Sequence, residues 1–280
     1  MITTTTLLLS LLASPASDPV PGPPPADDPG TVEVVYLANE GFLVRSSEIN
    51  IVIDGFVKTS HKGYQNLTDE AYQALVSAED PFDGPLLGLV SHAHRDHFQP
   101  RVAAAFLQAN PKAAMAVSPQ VRQSIMGASK KNPRARMQVQ AVKVKDGGQD
   151  VFDLQPAPVK IHFMDVPHMG DADGAVRNYA HLIEIGDLEL LHLGDPDAKA
   201  EHFADFGLEE RDIDVAFVPS WFFASVEGAQ IIDLINARHV VACHIPPSDL
   251  EMVSERMQAD NPHVIVFQER MESKTFAPAD

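Results

Sequence analysis

Ser91-His92-Ala93-His94-Arg95-Asp96-His97-Phe98 packs three imidazoles and a carboxylate into six consecutive positions, directly after the apolar run Leu86 to Val90. A short apolar run of this kind reads as a buried strand, and the polar burst after it as the loop at its end. His92 and His94, two apart, point the same way if the extended backbone continues, while Asp96 and His97 point elsewhere. One set could hold one metal ion and the other a second. The blander alternative is a polar surface loop, or core histidines satisfied by hydrogen bonds. His-x-His-x-Asp-His is far denser in ligand atoms than ordinary loops, which favours the metal.

Working outward, other acids and imidazoles share one habit: each stands at or just past the end of an apolar run. Asp54 follows Ile51-Val52-Ile53, His168 follows Phe163 to Pro167, Asp195 follows Leu190 to Gly194, and His244 follows Val240 to Cys243. Side chains at strand ends are held by a rigid scaffold yet stay open to solvent, as a metal site acting on external substrates requires. Any one of them alone reads equally well as a lone histidine or a capping aspartate. Together they favour a site.

The elements between these positions mix strands and helices. Thr31 to Leu37 and Phe42 to Ser46 read as a hairpin, Asn50 to Gly55 as a strand, and the Gly186-Asp187 pair as the turn of a second hairpin. Thr68 is expected to cap a helix carrying Ala71, Tyr72, Leu75 and Val76 as its apolar stripe. Pro100 and Pro119 open further helices, and Ser248 with Glu251 reads as a capping box. Strands are also expected at Gln138 to Val144, Val159 to Val166, Asp214 to Pro219, His239 to His244 and Val264 to Phe267. Hairpins early and strand-helix alternation late imply one mixed α/β domain over residues 32–280.

The chain has 280 residues and a formal net charge of −18, and its most basic stretch, Lys130 to Arg136, reads as a solvated loop. A polyanionic substrate would meet long-range repulsion, so no nucleic-acid partner is expected. Residues 1–16 combine a short apolar segment with the small residues Ser14-Pro15-Ala16, which reads as an export signal cleaved after Ala16; a periplasmic or secreted protein is expected. The segment is too short to span a bilayer as a helix. Residues 17–31, rich in proline, read as a tether. The one cysteine, Cys243, allows no intramolecular disulfide and reads as a small buried residue.

His92-x-His94-x-Asp96-His97, with Asp54 before it and His168, Asp195 and His244 after it in that order, resembles the metallo-β-lactamase superfamily of metal-dependent hydrolases. Asn178 to Ile185 followed by His192-Leu193-Gly194-Asp195 resembles the branch that includes lactonases. The resemblance implies a four-layer αββα sandwich in which two mixed sheets lie back to back with helices outside. It further implies that His92, His94 and His168 hold one metal, that Asp96, His97 and His244 hold another, and that Asp195 bridges them. Asp54 would then orient the histidine loop from behind. Zinc β-lactamases proper tend to carry a cysteine in the second site where this chain has aspartate, which argues against antibiotic hydrolysis.

That ligand set implies a dinuclear hydrolase whose nucleophile is a metal-bridging hydroxide, with Asp96 and Asp195 as the carboxylates at the reacting centre. Imidazole and carboxylate ligands suit zinc, with manganese or iron as alternatives. The expected substrate is a small molecule with a lactone, ester or amide carbonyl; a phosphodiester, or a metal-binding module without catalysis, is the alternative. His61, in the long Phe56 to Pro85 connection, and Trp221-Phe222-Phe223 are the candidate substrate contacts. His181 and His192, inside strands, are expected to pack ordinarily with one hydrogen bond each.

Overall fold

Apolar side chains alternate along the strands in a way that gives each sheet two buried faces. In the computed structural model, which describes residues 4–8, 30–59, 61–171 and 174–278, the strands in chain order are β1 (Thr4–Leu8), β2 (Val32–Ala38), β3 (Gly41–Arg45), β4 (Asn50–Ile53), β5 (Leu86–Val90), β6 (Ala114–Val117), β7 (Val139–Ala141), β8 (Gln149–Gln155), β9 (Val159–Asp165), β10 (Tyr179–Ile185), β11 (Leu188–His192), β12 (Val215–Pro219), β13 (His239–Cys243), β14 (Val264–Ile265) and β15 (Ser273–Phe276). The helices are α1 (Asp69–Ser77), α2 (Pro100–Ala109), α3 (Pro119–Ala128), α4 (Ala135–Gln138), α5 (Val226–Ile235) and α6 (Leu250–Asp260). The expected cleavage site after Ala16, and all of the proposed tether but Gly30 and Thr31, lie outside the described residues.

Two mixed sheets result, ordered β15-β2-β3-β4-β5-β6-β7 and β1-β8-β9-β10-β11-β12-β13-β14 among the described residues. Val34 and Tyr36 of β2, Ile51 and Ile53 of β4, and Leu87 and Leu89 of β5 meet Phe163, Tyr179, Ile183 and Phe217 of the other sheet in one buried cluster between the sheets. The alternate positions, Val35, Leu37, Val52 and Val90, turn outward onto Leu75 of α1, Phe106 of α2 and Ile125 of α3. Across the molecule, Leu182, Leu191, Ala216 and Val218 turn outward onto Ile231 and Ile235 of α5, and α6 packs over the β13–β14 end. Period-2 strands buried on both faces produce this helix, sheet, sheet, helix layering, which is the αββα sandwich expected.

Both expected hairpins form: β2 pairs with β3 and β10 with β11, each antiparallel. β4, β5 and β6 are parallel, as are β11, β12 and β13, so their carboxyl ends lie together on one edge of each sheet. Local corrections concern polar details. Ser248 does not cap α6; Asp249 is the cap residue, without a side-chain cap bond, and Ser248 donates to Asp249 Oδ1 instead. The strand expected over Gln138 to Val144 shortens to β7, because Gln138 ends α4 and its amide donates to the carbonyls of Leu107, Asn110 and Ala113. Beyond the expected strands lies β8, where buried Phe152 and Leu154 alternate with half-buried Val151 and Asp153.

Candidate metal centre

β4 and β5 run side by side in parallel, so Asp54 and Ser91, one step past their ends, become neighbours. Asp54 Oδ1 accepts the Ser91 backbone N–H at 2.8 Å, and Oδ2 accepts the Ser91 hydroxyl and His97 Nδ1, the latter at 3.0 Å. The loop reverses because the N–H groups of His97 and Phe98 both donate to the His94 carbonyl. That turn carries His97 back towards Asp54. The Ser91 hydroxyl gives its proton to Asp54 and so accepts from His92 Nδ1 at 3.0 Å, leaving His92 Nε2 as the lone-pair nitrogen of a neutral ring.

The second sheet supplies the rest. His168, beyond β9, donates from Nδ1 to the Met169 carbonyl at 2.7 Å, which aims Nε2 inward. Asp195 follows Gly194, whose φ of +65° and absent side chain are both required: a Cβ there would lie 2.3 Å from Asn178 Oδ1. Asn178 brackets the turn, accepting from the Asp195 N–H at 3.0 Å and donating to the Leu193 carbonyl at 3.1 Å. The two sheets are stitched together beside the site by the Tyr179 N–H, which donates to the Ser91 carbonyl at 2.9 Å. His244, just past β13, holds a left-handed φ of 55° and is pinned by its N–H to the Asn39 carbonyl and by Ser220 Oγ to its own carbonyl.

These side chains converge. Ligand atoms of His92, His94, His168 and Asp195 all lie within 4.8 Å of one another, and so do those of Asp96, His97 and His244. Asp195 stands between the sets: Oδ2 is 3.8 Å from His92 Nε2, 3.7 Å from His168 Nε2 and 3.4 Å from His244 Nε2, while Oδ1 is 3.3 Å from His97 Nε2. Asp96 Oδ2 lies 3.6 Å from His244 Nε2 and 3.9 Å from His97 Nε2.

Buried polar atoms ordinarily find partners. Here His97 Nε2, His168 Nε2, His244 Nε2 and Asp195 Oδ1 are buried without a hydrogen bond, and all point into the same space. His92 Nε2 and His94 Nδ1 are 3.1 Å apart, close to the roughly 3.3 Å that separates two nitrogens sharing a tetrahedral ion. The donor set therefore fits divalent cations.

Electrostatics agree. Burial works against charge on His97 and His244, yet Asp195, with Asp54 at His97 and Asp96 at His244, outweighs it. His97 is pushed well above the usual imidazole range and His244 to about 9. Asp195 is held well below the usual carboxylate range in spite of its burial, chiefly by His97 and His244. The carboxylates thus demand positive charge, which protons supply on the metal-free chain and which a divalent ion supplies equally well. His92 is driven well below its ordinary value by burial and by His97.

Of the proposed substrate contacts, Trp221 reaches the site: its ring lies 5.2 Å from that of His244, edge-on at 75°. Phe222 does not, since it is fully buried in the core between the second sheet and α5. Phe223 packs half-buried against the same core and the α6 cluster. Among the described residues no hydrogen bond, ion pair or ring contact joins the His61 side chain to the centre. His192 makes its one hydrogen bond, to the Glu40 carbonyl at 3.0 Å, whereas both ring nitrogens of His181 are buried without one. Burial holds His181 neutral, its pKa falling to about 3.

Two neighbours were not legible in the sequence. Glu40, in the β2–β3 turn, is buried directly beneath the centre, with Oε1 accepting from the Cys243 thiol at 3.5 Å and Oε2 lying 3.8 Å from His97 Nδ1. Burial and the nearby Asp195 raise its pKa well above the usual carboxylate range, against the opposing pull of His97 and His244. Tyr64 lies edge-on to His244 with ring centroids 4.4 Å apart. The signal for Glu40 was only its place in a tight turn, and its burial arises from strands far along the chain.

The fold has known counterparts. A metallo hydrolase from the hyperthermophilic archaeon Ignicoccus hospitalis, Igni18, superposes with a TM-score of 0.62 at 21% identity, covering 88% of this chain and 98% of that one. The metallo-β-lactamase fold protein YhfI from Bacillus subtilis does so with a TM-score of 0.56 at 13% identity over 88% and 99% of the two chains. CmlA, a diiron β-hydroxylase from Streptomyces venezuelae, has a TM-score of 0.56 at 11% identity over 93% of this chain and 55% of that one. No curated protein matches the sequence. The family described as the beta-lactamase superfamily domain matches residues 33–244, which runs from β2 through the last member of the histidine and aspartate cluster, and the chain accordingly belongs to the metallo-β-lactamase superfamily.

Proposed function

We propose that the protein is a dinuclear metal-dependent hydrolase of small molecules bearing a lactone, ester or amide carbonyl. The observation that carries this reading is the convergence of four buried, unpartnered atoms, His97 Nε2, His168 Nε2, His244 Nε2 and Asp195 Oδ1, on one space at the carboxyl ends of the strands. His92, His94 and His168 would hold one ion, Asp96, His97 and His244 the other, and Asp195 both. Zinc is the preferred metal for this imidazole and carboxylate set. When bound, such ions supply Lewis-acid polarisation of the scissile oxygen and activation of the attacking water.

The chain's own residues orient and enclose. Asp54 and Ser91 fix the tautomers of His97 and His92, and Asn178 fixes the turn that presents Asp195. Half-buried His94 marks the solvent-facing side. Among the described residues no Lys or Arg forms an ion pair with Asp96, Asp195, Asp54 or Glu40, and the formal net charge of −18 weighs against an anionic phosphodiester. Residues 1–16 we hold to be an export signal on sequence grounds, and a mature N-terminus at Ser17 would verify it.

The test is metal analysis of the purified protein, followed by zinc- or manganese-loaded turnover of lactones, esters, a β-lactam and bis-nitrophenyl phosphate. We expect about two tightly held ions and carbonyl hydrolysis, both reduced in His94→Ala and Asp195→Ala variants. Absence of tight metal would refute the reading. Selective phosphodiester turnover, or iron-dependent oxygen consumption without hydrolysis, would replace it.

A further inference from the structure

The basic stretch Lys130 to Arg136 belongs to a larger separation of charge along the chain. Residues 97–145 hold nine Lys and Arg and no Asp or Glu, so with neutral histidines they carry +9 in a chain of net charge −18, and the remainder carries −27. Among the described residues none of these nine forms an ion pair, whereas seven of the other twelve Lys and Arg do. Charge of one sign left unneutralised on one face is available to an external anion.

Five of these cations gather with one apolar side chain at the end of the first sheet away from the metal centre. Lys112 stands two residues before β6, and Lys130, Lys131 and Arg134 precede α4, which carries Arg136 and leads directly into β7. β5, β6 and β7 are parallel, and His92 to His97 follow the carboxyl end of β5, so residues ahead of β6 and β7 lie at the opposite end. The Gln138 amide joins the two parts by donating to the carbonyls of Asn110 and Ala113, on either side of Lys112. Ala135 and Gln138 are buried and anchor α4, while all five cations are exposed. Met137, next to Arg136, is 82% exposed, more than any other large apolar side chain among the described residues.

An apolar side chain standing among unneutralised cations matches the interface of an anionic bilayer, where cations meet headgroups and the apolar group enters the acyl boundary. Nucleic acid fits less well, since no Phe, Tyr or Trp on which a base could stack occurs between Phe106 and Phe152. We propose that the face formed by Lys112, Lys130, Lys131, Arg134, Arg136 and Met137 docks the protein on an anionic lipid surface, with the cations on lipid phosphates and Met137 between headgroups. The metal centre, at the other end of the sheet, then faces the aqueous side. The −27 on the rest of the chain is repelled by the same surface and selects this orientation. Docking of this kind is independent of the reaction at the metal centre.

The experiment sediments the full chain with vesicles of phosphatidylcholine alone or with about one third phosphatidylglycerol. The proteins are wild type, Arg134→Glu with Arg136→Glu, Met137→Ser, and a control, Arg256→Glu with Lys274→Glu, which makes the same charge change at exposed positions elsewhere. Residues 1–16 are common to all four, so differences among them report this face. We expect wild type to prefer the phosphatidylglycerol vesicles at least roughly tenfold, and to lose that preference near 1 M salt, where the screening length is about 3 Å. Reversing Arg134 and Arg136 should weaken binding at least about tenfold and Met137→Ser about threefold, with the control within roughly twofold of wild type. Equal binding to both kinds of vesicle at low salt, or an Arg134 and Arg136 reversal that binds no worse than the control, would overturn the proposal. Binding of duplex DNA in place of the vesicles, abolished by the same reversal, would also overturn it and reassign the face to a polyanion.

Discussion

Asp54 stands one residue past β4 with a left-handed φ of 47° and receives three hydrogen bonds, from the Ser91 N–H, the Ser91 hydroxyl and His97 Nδ1. Burial would raise its pKa, but His97 and Ser91 hold it below the usual carboxylate range, so it remains an acceptor throughout the neutral range. An amide in its place can accept on one atom only and turns an N–H towards a donor. Asp54→Asn should therefore weaken metal binding by about 10- to 100-fold while the fold persists, read by competition with a chromophoric chelator. Unchanged affinity would show that His97 is oriented by other contacts. Glu40 makes the complementary point: burial and the neighbouring Asp195 push its pKa well above the usual carboxylate range although His97 lies 3.8 Å away.

At the scale of elements, the β2–β3 turn acts as the floor of the centre. Asn39 accepts the His244 N–H at its carbonyl and donates from its amide to the Asp96 carbonyl, and Glu40 fills the space below His97. One hairpin thus ties Asp96 and His244, two of the second candidate set, to the first sheet. Helix caps separate true sequence signals from coincidental ones. Thr68 Oγ1 accepts the Ala71 N–H at 3.0 Å, whereas the Ser248 hydroxyl is directed to Asp249. Urea unfolding should show Thr68→Ala less stable by about 1 kcal/mol and Ser248→Ala within roughly 0.5 kcal/mol of wild type. Equal losses would mean that the Thr68 cap contributes nothing of its own.

For the whole molecule, the cluster couples stability to pH and to metal. His244 in the metal-free protein is raised from 6.5 to about 9, chiefly because Asp195 outweighs its burial. A raised imidazole contributes stability that is complete below the unfolded value and is lost as pH rises through the folded one. The metal-free protein should therefore lose stability between about pH 6.5 and 9, while metal binding, which needs the neutral ring, tightens over that window and releases protons. Denaturant unfolding across that range, with calorimetry in two buffers of different ionisation heat, checks both; a metal-free stability that rises with pH would contradict the assignment. The mixed α/β pattern and the candidate ligand positions were legible in the sequence because both are local consequences of period 2, whereas the αββα layering was implied by the family resemblance: runs such as Ile51-Val52-Ile53 and Leu89-Val90 read as strands, and the polar residue that ends each run falls at the rim. The sequence by itself thus determined most of the strands, the mixed α/β class and the candidates Asp54, His92, His94, Asp96, His97, His168, Asp195 and His244. Only tertiary structure decided that Phe222 belongs to the core while Trp221 and Tyr64 face His244, and that Glu40 is buried beside His97. Those facts depend on which strand ends meet across two sheets, and burial at such a junction is fixed by residues up to about two hundred positions away.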